Sequence, residues 1–285
     1  MVTRAGHTAL LFPGQGSHVE GMRSLVEAAR PDLLALVESE VGCDPFPRVE
    51  ESTRFAQPAI FCASVALLPA SSPAFDFAAG HSLGEFAALV AAGSLRAEDA
   101  LRLVVLRGAL MEEAAGGSGA MVALRGPDAW ESSVEIAFEA GVYPANHNSP
   151  TQVVLAGEAP LVEDARRIAR SRGLRAMVLP VRGAFHTPLM GSASAPFAAA
   201  LACVEVCTPR VPVMSGASAA PFTDVRAGLV AGLTAPVRWC DVLESLYGLG
   251  ARRFLEVGPG NVLTGLVRKT LPDVDAAPAA ELSRA

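Results

Sequence analysis

Short apolar runs that favour β-strands alternate with longer helical patterns along most of the chain. This alternation restricts the possible folds more than any other feature. The first run, Thr8 to Phe12, ends at a Pro-Gly-Gln-Gly turn, and the run from Phe75 to Ala79 ends at a glycine before an alanine-rich helical segment. Strands that alternate with helices of this length predict a parallel sheet covered on both faces.

The rhythm changes between about residues 118 and 181. The patterns there follow the order strand, helix, strand, strand, helix, strand, which is that of a ferredoxin-like unit. We therefore predict an α/β protein with a large α/β-hydrolase-like domain and a parallel sheet, formed by residues 1–117 and 182–285. A small ferredoxin-like α+β subdomain, residues 118–181, interrupts it, and a cleft between the two is the expected place for a site.

Composition excludes several function classes. The net charge is −6, and the 23 basic residues include one lysine, Lys269, which lies in no phosphate-loop motif. The chain is therefore not expected to bind nucleic acid or to cradle a nucleotide in such a loop. The five cysteines are scattered without a second ligand pair, so we expect buried thiols and no metal site. The cysteines favour a reducing, cytoplasmic location, and no apolar stretch is long enough to predict a membrane span.

The motif Gly80-His81-Ser82-Leu83-Gly84 is the one GxSxG in the chain. A predicted strand precedes it and a predicted helix follows it, as a nucleophile on a sharp strand-to-helix turn requires. The helix N-terminus also offers N–H groups for a developing oxyanion. The motif therefore predicts Ser82 as a nucleophile, the alternative being a Gly-Ser turn that arose by chance.

A serine nucleophile needs a base, and His186 is the best candidate among five histidines. It follows a predicted strand and comes before Thr187-Pro188, 104 residues after Ser82. No histidine follows it, although much of the fold remains, which differs from a standard α/β-hydrolase. From the residues alone, a capping or packing histidine is an equal alternative.

Seven short motifs now identify a resemblance. In chain order they are Phe12-Pro13-Gly14-Gln15-Gly16-Ser17, Gly80-His81-Ser82-Leu83-Gly84-Glu85, Leu106-Arg107-Gly108, Asn146-His147-Asn148-Ser149-Pro150, Phe185-His186, Pro236-Val237-Arg238-Trp239 and Glu256-Val257-Gly258-Pro259-Gly260. The chain resembles the malonyl-CoA:acyl carrier protein transacylases and, equally, the acyltransferase domains of polyketide synthases. The resemblance extends from about residue 8 to residue 270.

The resemblance implies a catalytic role for each matching residue. Ser82 would carry the acyl group as an ester, with His186 as general base and then acid, and the backbone N–H groups of Gln15 and Leu83 would form the oxyanion hole. Arg107 would bind the free carboxylate of a malonyl-type group, a role that suits the forked guanidinium. The alternative for Arg107 is a surface ion pair, but its helical neighbours three and four positions away are apolar.

Further residues are expected at the substrate site. The resemblance places His81, Phe185 and Asn148 there, and in the family a phenylalanine before the catalytic histidine tends to accompany unbranched malonyl groups. A backbone carbonyl, not an acid, would orient the histidine. This chain has Gly232 at that position, where a glutamine is common, and Gly183 where a histidine or tyrosine often lies.

The resemblance also implies the partners. The donor would be an acyl-CoA, in the first place malonyl-CoA, and the acceptor an acyl carrier protein. Coenzyme A thioester would be a substrate, with no bound cofactor. Because carrier proteins are acidic, we predict that a basic edge including Arg166 and Arg170 docks the carrier, the alternative being a solvated arginine face.

Two other functions compete with malonyl transfer. One is an acyl hydrolase, or a transferase for a non-malonyl group, although a neutral acyl chain would gain nothing from a buried Arg107. The other is an idle subunit that scaffolds a synthase, which the intact Ser82 and His186 disfavour.

Overall fold

The computed structural model of the protein describes residues 6–68 and 74–279. Its strands are β1 His7–Phe12, β2 Phe77–Gly80, β3 Gly119–Arg125, β4 Tyr143–Ser149, β5 Gln152–Glu158, β6 Arg175–Val178, β7 Val213–Met214, β8 Ala251–Glu256 and β9 Asp275–Pro278. Its helices are α1 Met22–Ala29, α2 Pro31–Val41, α3 Thr53–Ala66, α4 Gly84–Ala91, α5 Ala97–Ala115, α6 Ala129–Ala140, α7 Ala159–Ser171, α8 Ser194–Ala202, α9 Val225–Thr234, α10 Trp239–Gly248 and α11 Val262–Thr270. Short 3₁₀ helices span Phe46–Arg48 and Pro188–Ala193.

The larger sheet is parallel, with the strand order β7-β2-β1-β8-β9. Strand β1 lies at its centre and is buried on both faces. Leu10 and Phe12 pack into one hydrophobic cluster with α3, α4 and α5, whereas Ala9 and Leu11 pack into another with α10 and α11. The predicted α/β fold with a parallel sheet covered on both faces is confirmed.

The carboxyl ends of β1 and β2 lie side by side, since Phe12 pairs with Gly80 in the parallel register. The turn after each strand therefore emerges at the same edge of the sheet. In open α/β sheets this edge is where ligands bind. The turn that carries Gln15 and the turn that carries Ser82 are thus brought together by the sheet itself.

The smaller sheet is antiparallel, with the order β4-β5-β3-β6. Numbered within the unit this is 2-3-1-4, so the ferredoxin-like order of strands and helices that the sequence predicts is observed. Val122 and Leu124 face α6 and α7 on one side. Met121 and Ala123 point the other way and join the main core, so the small sheet presents its second face to the large domain.

A backbone connection links the small sheet to the segment before α10. The N–H of Val237 donates to the Ala145 carbonyl at 2.9 Å, and the N–H of His147 donates to the Val237 carbonyl at 2.9 Å. His147 lies within β4, which pairs with β5 as far as Ser149 and bridges to Val237 on its other side.

A side-chain cap sets the start of α3. The helix begins at Thr53, five residues before Pro58. The Ser52 hydroxyl caps this start by accepting the Arg54 N–H at 3.1 Å. Pro58 is then tolerated inside the helix, where it forgoes one backbone hydrogen bond.

No helix in ranges 6–68 and 74–279 is long and apolar enough to cross a membrane. In the same ranges, no group of three or more histidine, cysteine, aspartate or glutamate side chains is arranged to hold a metal ion.

Candidate active site

The nucleophile candidate lies on the predicted sharp turn between β2 and α4. Ser82 has φ of +54°, a left-handed conformation that strains a residue with a side chain. The turn can be this tight because its flanking residues are glycines. A Cβ on Gly80 would lie 2.0 Å from the Gly84 carbonyl carbon, and a Cβ on Gly84 would lie 2.1 Å from the Phe12 carbonyl oxygen.

The imidazole of His186 joins Ser82 to a backbone carbonyl. Its Nε2 lies 2.8 Å from Ser82 Oγ, and its Nδ1 lies 3.0 Å from the Gly232 oxygen. Because a carbonyl can only accept, Nδ1 carries the proton and Nε2 is free to accept the Ser82 hydroxyl proton. The expectation that a carbonyl orients His186 without an acid is confirmed, and glycine at position 232 supplies that carbonyl.

His186 is neutral in the resting site. The pKa of His186 is lowered to about 3, and burial is the largest cause. The positive charge of Arg107 adds to the effect of burial, and the neighbouring His81 makes a smaller contribution. An imidazole of low pKa is always available as an acceptor at neutral pH, but its protonated form is disfavoured. A negative group placed beside Arg107 would offset the repulsion and make proton transfer to His186 easier.

Arg107 is a buried cation beside the nucleophile. Arg107 is 3% exposed. Its Nη1 donates to Gln57 Oε1 at 2.7 Å, and its Nη2 donates to Ser82 Oγ at 3.1 Å. Burial lowers the pKa of Arg107 to about 10, against the opposing charge of Glu85, so the guanidinium remains protonated at neutral pH. Within ranges 6–68 and 74–279, no carboxylate comes within 4.0 Å of it to form an ion pair. A buried charge without a direct ion-pair partner is unfavourable, so this arrangement suits an anionic ligand that contacts the guanidinium.

The two predicted oxyanion donors lie at the same edge of the sheet. The turn after β1 approaches the nucleophile turn closely, since a Cβ on Gly14 would lie 2.5 Å from the His81 carbonyl oxygen. Leu83 immediately follows Ser82 at the start of α4. Among the described residues, the N–H groups of Gln15 and Leu83 donate to no backbone carbonyl, so both donors can bind a ligand oxygen.

His81 and Asn148 join the small subdomain to this site. His81 Nε2 lies 2.9 Å from Asn148 Oδ1, and the His81 ring packs against Trp239 with centroids 5.5 Å apart. Burial lowers the pKa of His81, so it is neutral and its Nε2 donates to the amide oxygen. Asn148 projects from β4, and the site is therefore closed on one side by the small sheet.

Comparisons with known proteins agree with this geometry. A model of the acyl transferase domain matches residues 43–283.

The chain belongs to this acyl transferase family.

Among curated relatives, the malonyl CoA-acyl carrier protein transacylase of Escherichia coli K12 is 37% identical, over 94% of this chain and 94% of that protein. The polyketide biosynthesis protein ThaF of Burkholderia thailandensis is 40% identical over 93% of this chain, which spans 24% of ThaF. A solved structure of a malonyl-transacylase in complex with a type II polyketide synthase acyl-carrier protein superposes with a TM-score of 0.88. Its identity is 36%, over 97% of this chain and 98% of that one.

Phe185 immediately precedes His186, but its ring packs into the main core of this acyltransferase. The residue is 7% exposed, and its ring lies so close to Gly183 that a Cβ there would be 2.6 Å away. Glycine at position 183 thus makes room for the ring. The role of Phe185 in substrate selection stays a prediction.

The arginines predicted to dock a carrier lie on α7, on the face of the small sheet opposite the large domain. Arg166 is paired with Glu163 through its Nε at 2.7 Å, and Arg170 donates to the Ala176 carbonyl at 3.0 Å. Arg167 and Arg172 are also paired with acidic side chains. This pairing favours the alternative of a solvated arginine face.

Two buried polar residues of the site were not predicted from the sequence. Gln57 holds Arg107 and donates from its Nε2 to Thr53 Oγ1 at 2.7 Å, and Thr53 in turn donates to Gln15 Oε1 at 3.0 Å. Glu85 is 5% exposed and accepts the Gly216 N–H at 2.6 Å. The available signal was a lone polar residue inside an otherwise apolar helical segment, which both positions show.

Proposed function

We propose that this acyltransferase moves a malonyl group from malonyl-CoA to the phosphopantetheine thiol of an acyl carrier protein, through an ester on Ser82. The observation that carries the proposal is Arg107, a buried guanidinium whose Nη2 is 3.1 Å from Ser82 Oγ and which has no carboxylate within 4.0 Å among the described residues. In a malonyl thioester one methylene separates the carboxylate from the reacting carbonyl. A cation beside the nucleophile matches that short separation.

The first half-reaction loads Ser82. His186 Nε2 takes the hydroxyl proton as Oγ attacks the thioester carbonyl, and the N–H groups of Gln15 and Leu83 stabilise the oxyanion. The tetrahedral intermediate collapses with cleavage of the carbon–sulfur bond. The departing thiolate of coenzyme A takes the proton from His186, so no proton is gained or lost overall.

The second half-reaction is the reverse with another thiol. The carrier thiol gives its proton to His186, its sulfur attacks the ester carbonyl, and Ser82 Oγ leaves and regains the proton. Side chains and backbone N–H groups thus supply every catalytic group. We therefore propose that coenzyme A thioester is a substrate and that no cofactor is bound.

Arg107 would bind the carboxylate in both half-reactions. Its Nη1 is already held by Gln57, whereas its Nη2 bonds to the nucleophile. When the malonyl carboxylate arrives, it can replace Ser82 as the acceptor for Nη2. The same event supplies the negative charge that eases protonation of His186.

The pathway partners follow from the relatives. Their names include transacylases that act on acyl carrier protein and a polyketide biosynthesis protein, and we assign this enzyme to fatty acid or polyketide biosynthesis. All five cysteines are free thiols, which supports the cytoplasmic location that we propose.

The transfer assay separates the competing functions. Malonyl-CoA and enzyme are mixed with carrier protein that bears its phosphopantetheine arm, with carrier that lacks the arm, or with buffer alone. We expect malonyl on the first carrier only. Equal release of free malonate in buffer would instead identify a hydrolase, and no consumption of malonyl-CoA would identify an idle subunit.

The edge of the enzyme that is predicted to dock the carrier is tested separately. If Arg166 and Arg170 dock the carrier, replacing both with glutamate raises the KM for the carrier. Loading of Ser82 should be unchanged in either case, because α7 lies on the outer face of the small sheet. An unchanged KM for the carrier would remove these two arginines from the docking surface.

A further inference from the structure

Glu85 is a buried carboxyl group that the proposed mechanism does not use. It lies three residues after Ser82 in the first turn of α4, and its own N–H donates to the Ser82 carbonyl at 3.1 Å. Its Oε1 accepts the Gly216 N–H at 2.6 Å, and its Oε2 lies against Gly232, 3.5 Å from where a Cβ would be. It thus lies directly behind the nucleophile and the carbonyl that holds His186.

The charges around Glu85 are few. Helix α4 packs against β1, β2, β7, α3 and α5, and among the described residues of these elements Arg107 on α5 is the charged group that acts on Glu85. His81 and His186 are neutral, since burial lowers the pKa of each. The loop that carries Gly216 and helix α9, which carries Gly232, approach it with these two glycines, which have no side chain. The resting site therefore contains one buried cation and one buried acid.

We propose that Glu85 is the resting counter-charge of Arg107 and that it takes up a proton from solvent when an acyl carboxylate binds at Arg107. This inference rests on the proposed function, because it requires a malonyl carboxylate in the site. With malonyl bound, one guanidinium faces two carboxyl groups. The malonyl carboxylate contacts the guanidinium directly, whereas Glu85 acts on it from beyond salt-bridge distance, so Glu85 is the group that becomes neutral.

The balance of forces on Glu85 supports this assignment. Burial raises the pKa of the Glu85 carboxyl to about 7, against the Gly216 N–H and the charge of Arg107, which both lower it. A ligand carboxylate on Arg107 cancels the second of these effects. The pKa of Glu85 must then rise further, and a group that is about half ionised at neutral pH becomes protonated.

The consequence is a proton-linked preference for acyl groups that carry an acid. Loading itself transfers the Ser82 proton to the thiolate of coenzyme A and is neutral in protons. Net uptake that depends on malonyl therefore reports a buried group near Arg107, and the Glu85→Gln variant described below tests whether that group is Glu85. An acetyl group brings no negative charge, leaves the interaction of Arg107 with Glu85 unchanged, and should load without proton uptake.

Proton uptake can be measured directly during a single round of loading. Enzyme in weakly buffered solution at pH 7 is mixed with malonyl-CoA or acetyl-CoA without carrier, a pH-indicator dye records the protons, and mass spectrometry counts acyl-Ser82. We expect net uptake of less than one proton per malonyl-Ser82 and none per acetyl-Ser82. Ionisation of the released coenzyme A is the same for both donors and cancels in the difference.

The Glu85→Gln variant identifies the group responsible. Glutamine keeps an oxygen that can accept the Gly216 N–H, and uptake is normalised to the adduct formed. We expect loss of the malonyl-dependent uptake. Equal uptake per adduct in wild type and Glu85→Gln, or none in wild type that is fully malonylated, would overturn the inference and leave the proposed function standing. Failure of malonyl-CoA to form any adduct with wild type would overturn both the inference and the proposed function. The comparison of the two donors in wild type does not depend on how the variant folds.

Discussion

Replacing Arg107 with methionine should change the donor preference of the enzyme. The variant keeps an apolar stem of similar length but removes the buried guanidinium that contacts Gln57 and Ser82. A hydrogen-bonded charge pair in a buried site is worth about 2–5 kcal/mol when one partner is removed. The kcat/KM for malonyl-CoA should therefore fall roughly 30- to 5,000-fold, since each 1.4 kcal/mol is about tenfold.

Acetyl-CoA should respond in the opposite way. A neutral acyl group gains nothing from the guanidinium, and in the variant it meets an apolar side chain, so its kcat/KM should be unchanged or higher. The assay measures kcat/KM for the two donors with the same saturating carrier protein. The ratio of the two values reports the carboxylate interaction and is independent of the fraction of folded enzyme.

Arg102→Met is the matched control. Arg102 lies on the same helix, but it is half exposed and pairs with Glu40 at 3.0 Å, so its loss should leave the donor ratio unchanged. An equal fall for both donors in Arg107→Met would refute the argument. It would mean that Arg107 maintains the geometry of Ser82 and does not select the malonyl carboxylate.

Two further predictions concern the fold around the nucleophile and the buried acid. Gly84→Ala should lower the urea midpoint of unfolding and abolish transfer, because its Cβ would lie 2.1 Å from the Phe12 carbonyl oxygen. Gly191→Ala, whose Cβ meets nothing within 4 Å, should match wild type in both measurements. A wild-type midpoint and rate for Gly84→Ala would contradict the close approach. Glu85→Gln should stabilise the enzyme relative to wild type at pH 8 but not at pH 4. The pKa of Glu85 is raised from 4.5 to about 7 in the folded state, so wild type loses stability as the pH rises through that interval. A difference in urea midpoint that does not vary with pH would show that burial does not destabilise the ionised carboxyl.

The architecture could be predicted from sequence because its periodic signals are strong. The four buried residues at the end of β1 and the alanine-rich α4 are unambiguous, and the βαββαβ order of the insertion is set by local patterns. Helix starts were less certain because capping can override proline. Ser52 caps α3 at Thr53, ahead of Pro58, and no local pattern decides between those two starts.

Site residues could be predicted from the sequence only where the residue type is rare in the surrounding sequence pattern. Ser82 follows from two glycines and the flanking elements. His186 could not be separated from a packing histidine by sequence, because its partners Ser82 and Gly232 are 104 and 46 residues away. Gln57 and Glu85 stand out in the sequence only as polar residues within apolar helical segments, which does not indicate a role. Their roles depend on where α3, α4 and α5 meet, which is a property of tertiary packing.

The proposed mechanism requires Ser82 to carry the malonyl group. The most direct measurement is mass spectrometry of the enzyme after brief mixing with malonyl-CoA in the absence of carrier, followed by peptide mapping, with Ser82→Ala treated in parallel. We predict one malonyl group per chain, located on the peptide that contains Ser82, absent from Ser82→Ala, and lost when carrier protein with its thiol is added. A malonyl group that persists in Ser82→Ala, or transfer to the carrier with no enzyme-bound malonyl at any time, would contradict it.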